Sequence, residues 1–151
     1  MSITIREKEL AAVGISVAAG CKPCTDYHLK AARKAGVSDD EIEHAVADAI
    51  AVREDATRTM EDYALGQLSE TGVDNDPAPT EEAERMQMLV SIGAAFAVNC
   101  TASLEQYLVA AESLDLSQDD IATIVKLAAF IKRKASSHVE SLVGMAEEES
   151  A

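Results

Sequence analysis

Ser38-Asp39-Asp40-Glu41-Ile42 and Ser117-Gln118-Asp119-Asp120-Ile121 stand 79 residues apart, and reading them together decides the fold. In the first, a Ser followed three residues later by a Glu is a capping box. Its hydroxyl accepts from the backbone N–H three residues on, and the carboxylate reaches back. Ser117 opens a helix at the equivalent place. The helix after Ser38 carries Ile42, Ala45, Val46, Ala49, Ile50, Val52, Ala56 and Met60 at helical spacing. That stripe predicts a long helix, buried along one side, that ends near Leu65-Gly66.

Upstream, apolar residues at Leu10, Val13, Gly14 and Val17 predict a first helix over Ile3 to Ala18, closed by Gly20 as a left-handed cap. A second helix starts at Gly20-Cys21-Lys22-Pro23-Cys24-Thr25-Asp26-Tyr27-His28, with Pro23 in its first turn, and Gly36 stops it. Downstream, Thr80 with Glu81 and Glu82 caps a fourth helix running to about Val98. A fifth covers about Ala102 to Ser113, and the sixth runs from Ser117 to near Glu147.

Shifting the first half by 79 residues places Cys21 on Cys100, Gly14 on Gly93 and Leu29 on Leu108. It also places Ser38 on Ser117, Ile42 on Ile121, Ala49 on Ala128 and Arg53 on Lys132. Caps, stripe and one cysteine agree without a gap, which predicts an internal duplication of a three-helix unit. The expected organisation is one all-α domain of about six helices. Repeat one covers about 4–66, a linker 67–79, and repeat two about 80–147.

Composition bounds the function. The 151 residues are 48% hydrophobic, with no Trp, two Phe and three Tyr, so the core must be aliphatic. A net charge of −14 argues against nucleic acid and against an anionic membrane surface as partners. No secretory signal is visible, and no apolar run reaches membrane-spanning length. With three cysteines, two of them spaced Cys-x-x-Cys, redox or metal chemistry in the cytoplasm is the expectation.

The two copies differ where chemistry would sit. Cys24 corresponds to Ser103, His28 to Tyr107, Glu9 to Met88 and Gly36 to Asp115. The polar residues of the first copy are therefore not required by the three-helix frame. A helix N-terminus favours a thiolate, and His28, four residues beyond Cys24, can accept the thiol proton. Cys21 lies within disulfide reach of Cys24, and Glu9 can orient His28. A zinc site made of Cys21, Cys24, His28 and Glu9 is the rival reading, as is a purely structural helical oligomer. Cys100 reads as a buried apolar residue, and His44 and His138 as surface or satisfied groups.

Glu9, Cys21-x-x-Cys24, His28, Ala31-x-x-x-Ala35-Gly36 and the capped Glu41-Ile42 helix together resemble the AhpD-like alkylhydroperoxidase group of the carboxymuconolactone decarboxylase superfamily. The resemblance implies thiol-dependent peroxide reduction with no cofactor beyond a redox-active Cys21–Cys24 disulfide. Cys24 would attack the peroxide, Cys21 would resolve the sulfenic acid, and His28 and Glu9 would activate Cys24. A dithiol or lipoyl-type reductant would recycle the pair. It also implies a homo-oligomer, commonly a trimer for two-unit chains and a hexamer for single-unit ones. Pro23 before the second cysteine is similar to thioredoxin, where the first cysteine attacks. On that pattern Cys21 and Cys24 exchange roles in a disulfide reductase.

Overall fold

The computed structural model describes residues 3–68 and 80–145. Among them the elements are α1 (Ile5–Ala19), α2 (Lys22–Lys34), α3 (Asp39–Gly66), α4 (Glu81–Ala97), α5 (Thr101–Ala111), a 3₁₀ turn (Glu112–Leu114) and α6 (Gln118–Leu142). No strand occurs among the described residues, so the class is all-α. The chain divides into two compact units, Met1–Asn75 and Asp76–Ala151.

In the first unit, α1 packs against both α2 and α3. Local chemistry sets the helix ends. Thr4 and Glu7 form a capping box at the start of α1, and Ser38 and Glu41 form one at the start of α3. α1 closes on Gly20, at φ 71°, whose N–H bonds back to the carbonyls of Ser16 and Val17. The Cys21 N–H then bonds to the Ser16 carbonyl at 3.0 Å. This turn fixes where the cysteine motif leaves α1.

The first core is Val13, Ala32, Val37 and Ile42, with Leu10, Leu29 and Val46 packed against it. Val13 and Ala32 are fully buried. Burying a Val or Ile side chain stabilises by about 1.5–3 kcal/mol. Gly14 lets α3 come close, since a Cβ there would stand 3.1 Å from the Ala45 carbonyl oxygen. Across the helix starts, Arg6 grips both oxygens of Glu41, one at 2.6 Å. The Ser38 backbone N–H, the Arg6 guanidinium and the Ser38 hydroxyl hold the Glu41 carboxyl down at about 2.

In the second unit, α4 packs against α5 and α6. Its core is Ile92, Ala111 and Leu116, with Met88, Leu89, Leu104, Tyr107, Leu108, Ile121, Ile124 and Val125 against it. Thr80 caps α4, and Ser117 with Asp120 forms a capping box at α6. Arg85 bonds Asp120 at 2.9 Å. That guanidinium, with the Ser117 hydroxyl and N–H, lowers the Asp120 carboxyl below its ordinary range.

Three expectations need correction. The stripe on α3 is buried only in its first half. Ile42 and Ala49 are buried, whereas Val52 is 64% exposed, Met60 61% exposed, and Ile50 and Ala56 also face solvent. α3 is 28 residues long, about 42 Å at 1.5 Å per residue, and outruns the 15-residue α1 that covers it. α5 stops at Ala111 and tightens into the 3₁₀ turn, which ends on Asp115 at φ 51°. α6 ends at Leu142; the expected extension beyond 145 and the linker from residue 69 lie outside the described residues.

Candidate active site

α2 carries the site. Cys21 is its N-cap, Lys22 and Pro23 open its first turn, and Cys24 and His28 follow one turn apart. Four residues is the spacing that places two side chains on one helix face. Cys21 and Cys24 are joined by a disulfide, with Cα atoms 5.3 Å apart. Cys21 is half-buried and Cys24 exposed. The Cys24 backbone N–H donates to the Cys21 sulfur at 3.3 Å, and the Thr25 hydroxyl donates to the Cys21 carbonyl at 2.9 Å. When the pair is reduced, the same N–H favours a thiolate at Cys21.

Glu9 comes from the middle of α1. Its carboxylate meets His28 Nδ1 at 2.8 Å, with side-chain exposures of 16% and 27% respectively. A carboxylate only accepts, so Nδ1 carries the proton, and in the neutral ring Nε2 keeps its lone pair. This is the geometry of a base held by an orienting acid. The structure thus joins Cys21 to Cys24 at the start of α2, and ties Glu9 of α1 to His28 of α2.

Two neighbours were not singled out by sequence. Tyr27 meets the His28 ring edge-on, centroids 5.0 Å apart, and limits how the imidazole turns. Arg53 Nη1 donates to the Ala18 carbonyl at 2.8 Å, so α3 ties down the end of α1 just before the cysteines. A cation kept at the same place among the apolar residues of both copies, Arg53 and Lys132, is the one signal that could have marked it. His44 and His138 are exposed, as expected. Cys100 is half-buried rather than buried, and its thiol donates to Ser103 Oγ at 3.0 Å. Its place at the α5 N-cap, half out of the core, explains the difference. Among the described residues, no cluster of three or more His, Cys, Asp or Glu is arranged to hold a metal ion.

An all-helical unit with a Cys-x-x-Cys disulfide at a helix start, next to a carboxylate-bound histidine, defines a class of thiol–disulfide scaffold. Residues 2–69, within the first unit, match the model of the carboxymuconolactone decarboxylase family, which includes AhpD-like proteins. No curated protein and no solved structure gave a match. No helix among the described residues is long and apolar enough to cross a membrane.

Proposed function

We propose that the protein is an AhpD-like, thiol-dependent peroxidase whose working residues are Cys24, Cys21, His28 and Glu9. The observation that carries this reading is the Cys21–Cys24 disulfide on the same helix as a histidine bound to Glu9.

In the reduced enzyme, His28 Nε2 takes the Cys24 thiol proton, directly or through one water. The Cys24 thiolate attacks the nearer peroxide oxygen, the O–O bond breaks, and a sulfenic acid forms. The leaving alkoxide takes the proton back from His28 and departs as the alcohol. Cys21 then attacks the sulfenic sulfur, water leaves, and the disulfide closes. A dithiol of lipoyl type would return two electrons and two protons by exchange. No further cofactor enters this cycle.

The exposures favour Cys24 as the attacking sulfur over the thioredoxin-like order. Cys24 is the more exposed residue, while Cys21 is half-buried and its disulfide sulfur accepts from the Cys24 N–H, a donor placed to hold it as a leaving group. The apolar residues exposed on the later half of α3 and on α6, among them Val52, Met60, Tyr63, Phe130 and Ile131, support a homo-oligomer, with a trimer the expected form. Recycling by a dithiol suits the cytoplasm.

Steady-state peroxide reduction with a dithiol donor tests the reading. Cys24→Ser is expected to abolish turnover. Cys21→Ser should permit one sulfenate-forming turnover per chain, trapped by dimedone, and no cycling. Equal residual activity in both variants would sink the assignment.

A further inference from the structure

We infer that the dithiol which recycles Cys21–Cys24 carries negative charge close to its sulfurs, because α2, the helix that starts at the disulfide, presents a basic face. This rests on the redox reading of the pair given above. The chain as a whole holds 13 cationic side chains against 27 acidic ones, so an anionic donor would ordinarily be repelled. α2 reverses that balance locally: Lys22, Lys30, Arg33 and Lys34 stand against the single carboxylate of Asp26. All four cations are exposed.

Lys22, Asp26 and Lys30 follow one another at four-residue spacing, and Arg33 and Lys34 continue the row. They form one stripe along the helix, and Tyr27 lies between it and the face of Cys24 and His28. Arg33 is also paired with Asp39 at 3.2 Å, so the three lysines provide most of the outward field. The frame does not need these charges. Their counterparts in the second unit are Thr101, Val109, Glu112 and Ser113, and α5 has no cation at all. The basic face exists only where the disulfide exists.

The exchange it would serve is balanced. One donor thiolate attacks the sulfur of Cys24, the more exposed residue, and breaks the Cys21–Cys24 bond. Cys21 leaves as a thiolate held by the Cys24 N–H. The second donor thiol displaces Cys24, the donor departs as its own disulfide, and the enzyme retains two electrons and two protons. Exposed lysines on the helix that receives the first attack raise the local concentration of an anionic donor.

The test uses the oxidised full chain and two dithiols with the same sulfurs, dihydrolipoate and dihydrolipoamide. Thiols are counted by rapid alkylation and mass spectrometry. Dihydrolipoate is expected to reduce the pair about three- to tenfold faster at about 10 mM salt, with the ratio approaching one at about 0.5 M. The Lys22→Glu/Lys30→Glu variant should bring the low-salt ratio to one or below. Any effect of these exposed substitutions on the α2 terminus acts on both donors and cancels in the ratio. Equal rates at low salt, or a ratio unchanged in the variant, would overturn this inference alone. No reduction by either dithiol would overturn the redox reading together with it.

Discussion

The two units solve the same backbone problem and differ in what they hang on it. Gly20 at φ 71° and Asn99 at φ 61° make the same left-handed turn, each followed by a cysteine whose N–H bonds five residues back. Gly36 and Asp115 repeat the next left-handed position. Arg6–Glu41 and Arg85–Asp120 are the same ion pair. Each unit also has a groove between its first and third helices, about 540 Å³ in the first and 450 Å³ in the second. The residues lining one are all counterparts, 79 positions away, of those lining the other. Against this agreement stand Glu9 and His28. Their counterparts Met88 and Tyr107 pack against the second unit's apolar core. The frame thus accepts either an apolar pair or an acid–base pair, and the first unit has exchanged core contacts for a polar site.

The largest test of that contrast converts the first unit toward the second. His28→Tyr removes the base, and peroxide reactivity of Cys24 is expected to fall about 10²–10⁴-fold, the usual worth of a positioned general base. Glu9→Met should cost less, about tenfold, because Glu9 acts through His28. It should also move the pH profile of Cys24 alkylation, which loss of packing alone would not do. The double variant should unfold at a higher urea concentration than the native chain, since a half-buried hydrogen-bonded polar pair gives way to apolar packing. A double variant that keeps peroxide activity, or loses stability, would break the comparison.

An intermediate effect is expected in the reverse direction. Ser103→Cys places a second thiol one turn from Cys100 on the same backbone turn that Cys21 and Cys24 use. Mild oxidation should join the introduced thiol to Cys100 in a disulfide, seen by peptide mapping, while peroxide turnover stays unchanged because no imidazole–carboxylate pair serves it. Failure of the bond to form would show that the cysteine motif needs more than the frame.

How much of this was legible follows from the range of each interaction. The caps at Ser38, Thr80 and Ser117 and the turn at Gly20 are set by neighbours within five residues, so the sequence displays them directly. The contrast of Cys24, His28 and Glu9 with Ser103, Tyr107 and Met88 was visible because the chain carries its own comparison. The Glu9–His28 contact spans 19 residues and was legible because the copy comparison marked both residues and the family pattern pairs them. Arg53 to Ala18 and Arg6 to Glu41 each span 35 residues and have no local signature. The apolar later half of α3 misled for a different reason. Periodicity tells which face of a helix is apolar, not what covers it, and α1 is too short to cover Val52 and Met60.

The smallest test concerns two glycines at equivalent places. In mid-helix, Gly→Ala alone gains up to about 1 kcal/mol. At Gly14 the new Cβ would meet the Ala45 carbonyl oxygen at 3.1 Å. That oxygen belongs to the backbone of α3 and cannot move without shifting the helix, so crowding of about 1–3 kcal/mol outweighs the gain. At Gly93 the Cβ would meet Ile124 Cγ2 at 3.3 Å. That methyl borders the groove of the second unit and has room to yield a few tenths of an ångström. Gly14→Ala should therefore lower the urea midpoint, and Gly93→Ala should leave it level or raise it. The same sign in both would mean that the two helix pairs meet their glycines alike, with side chain and backbone equally yielding.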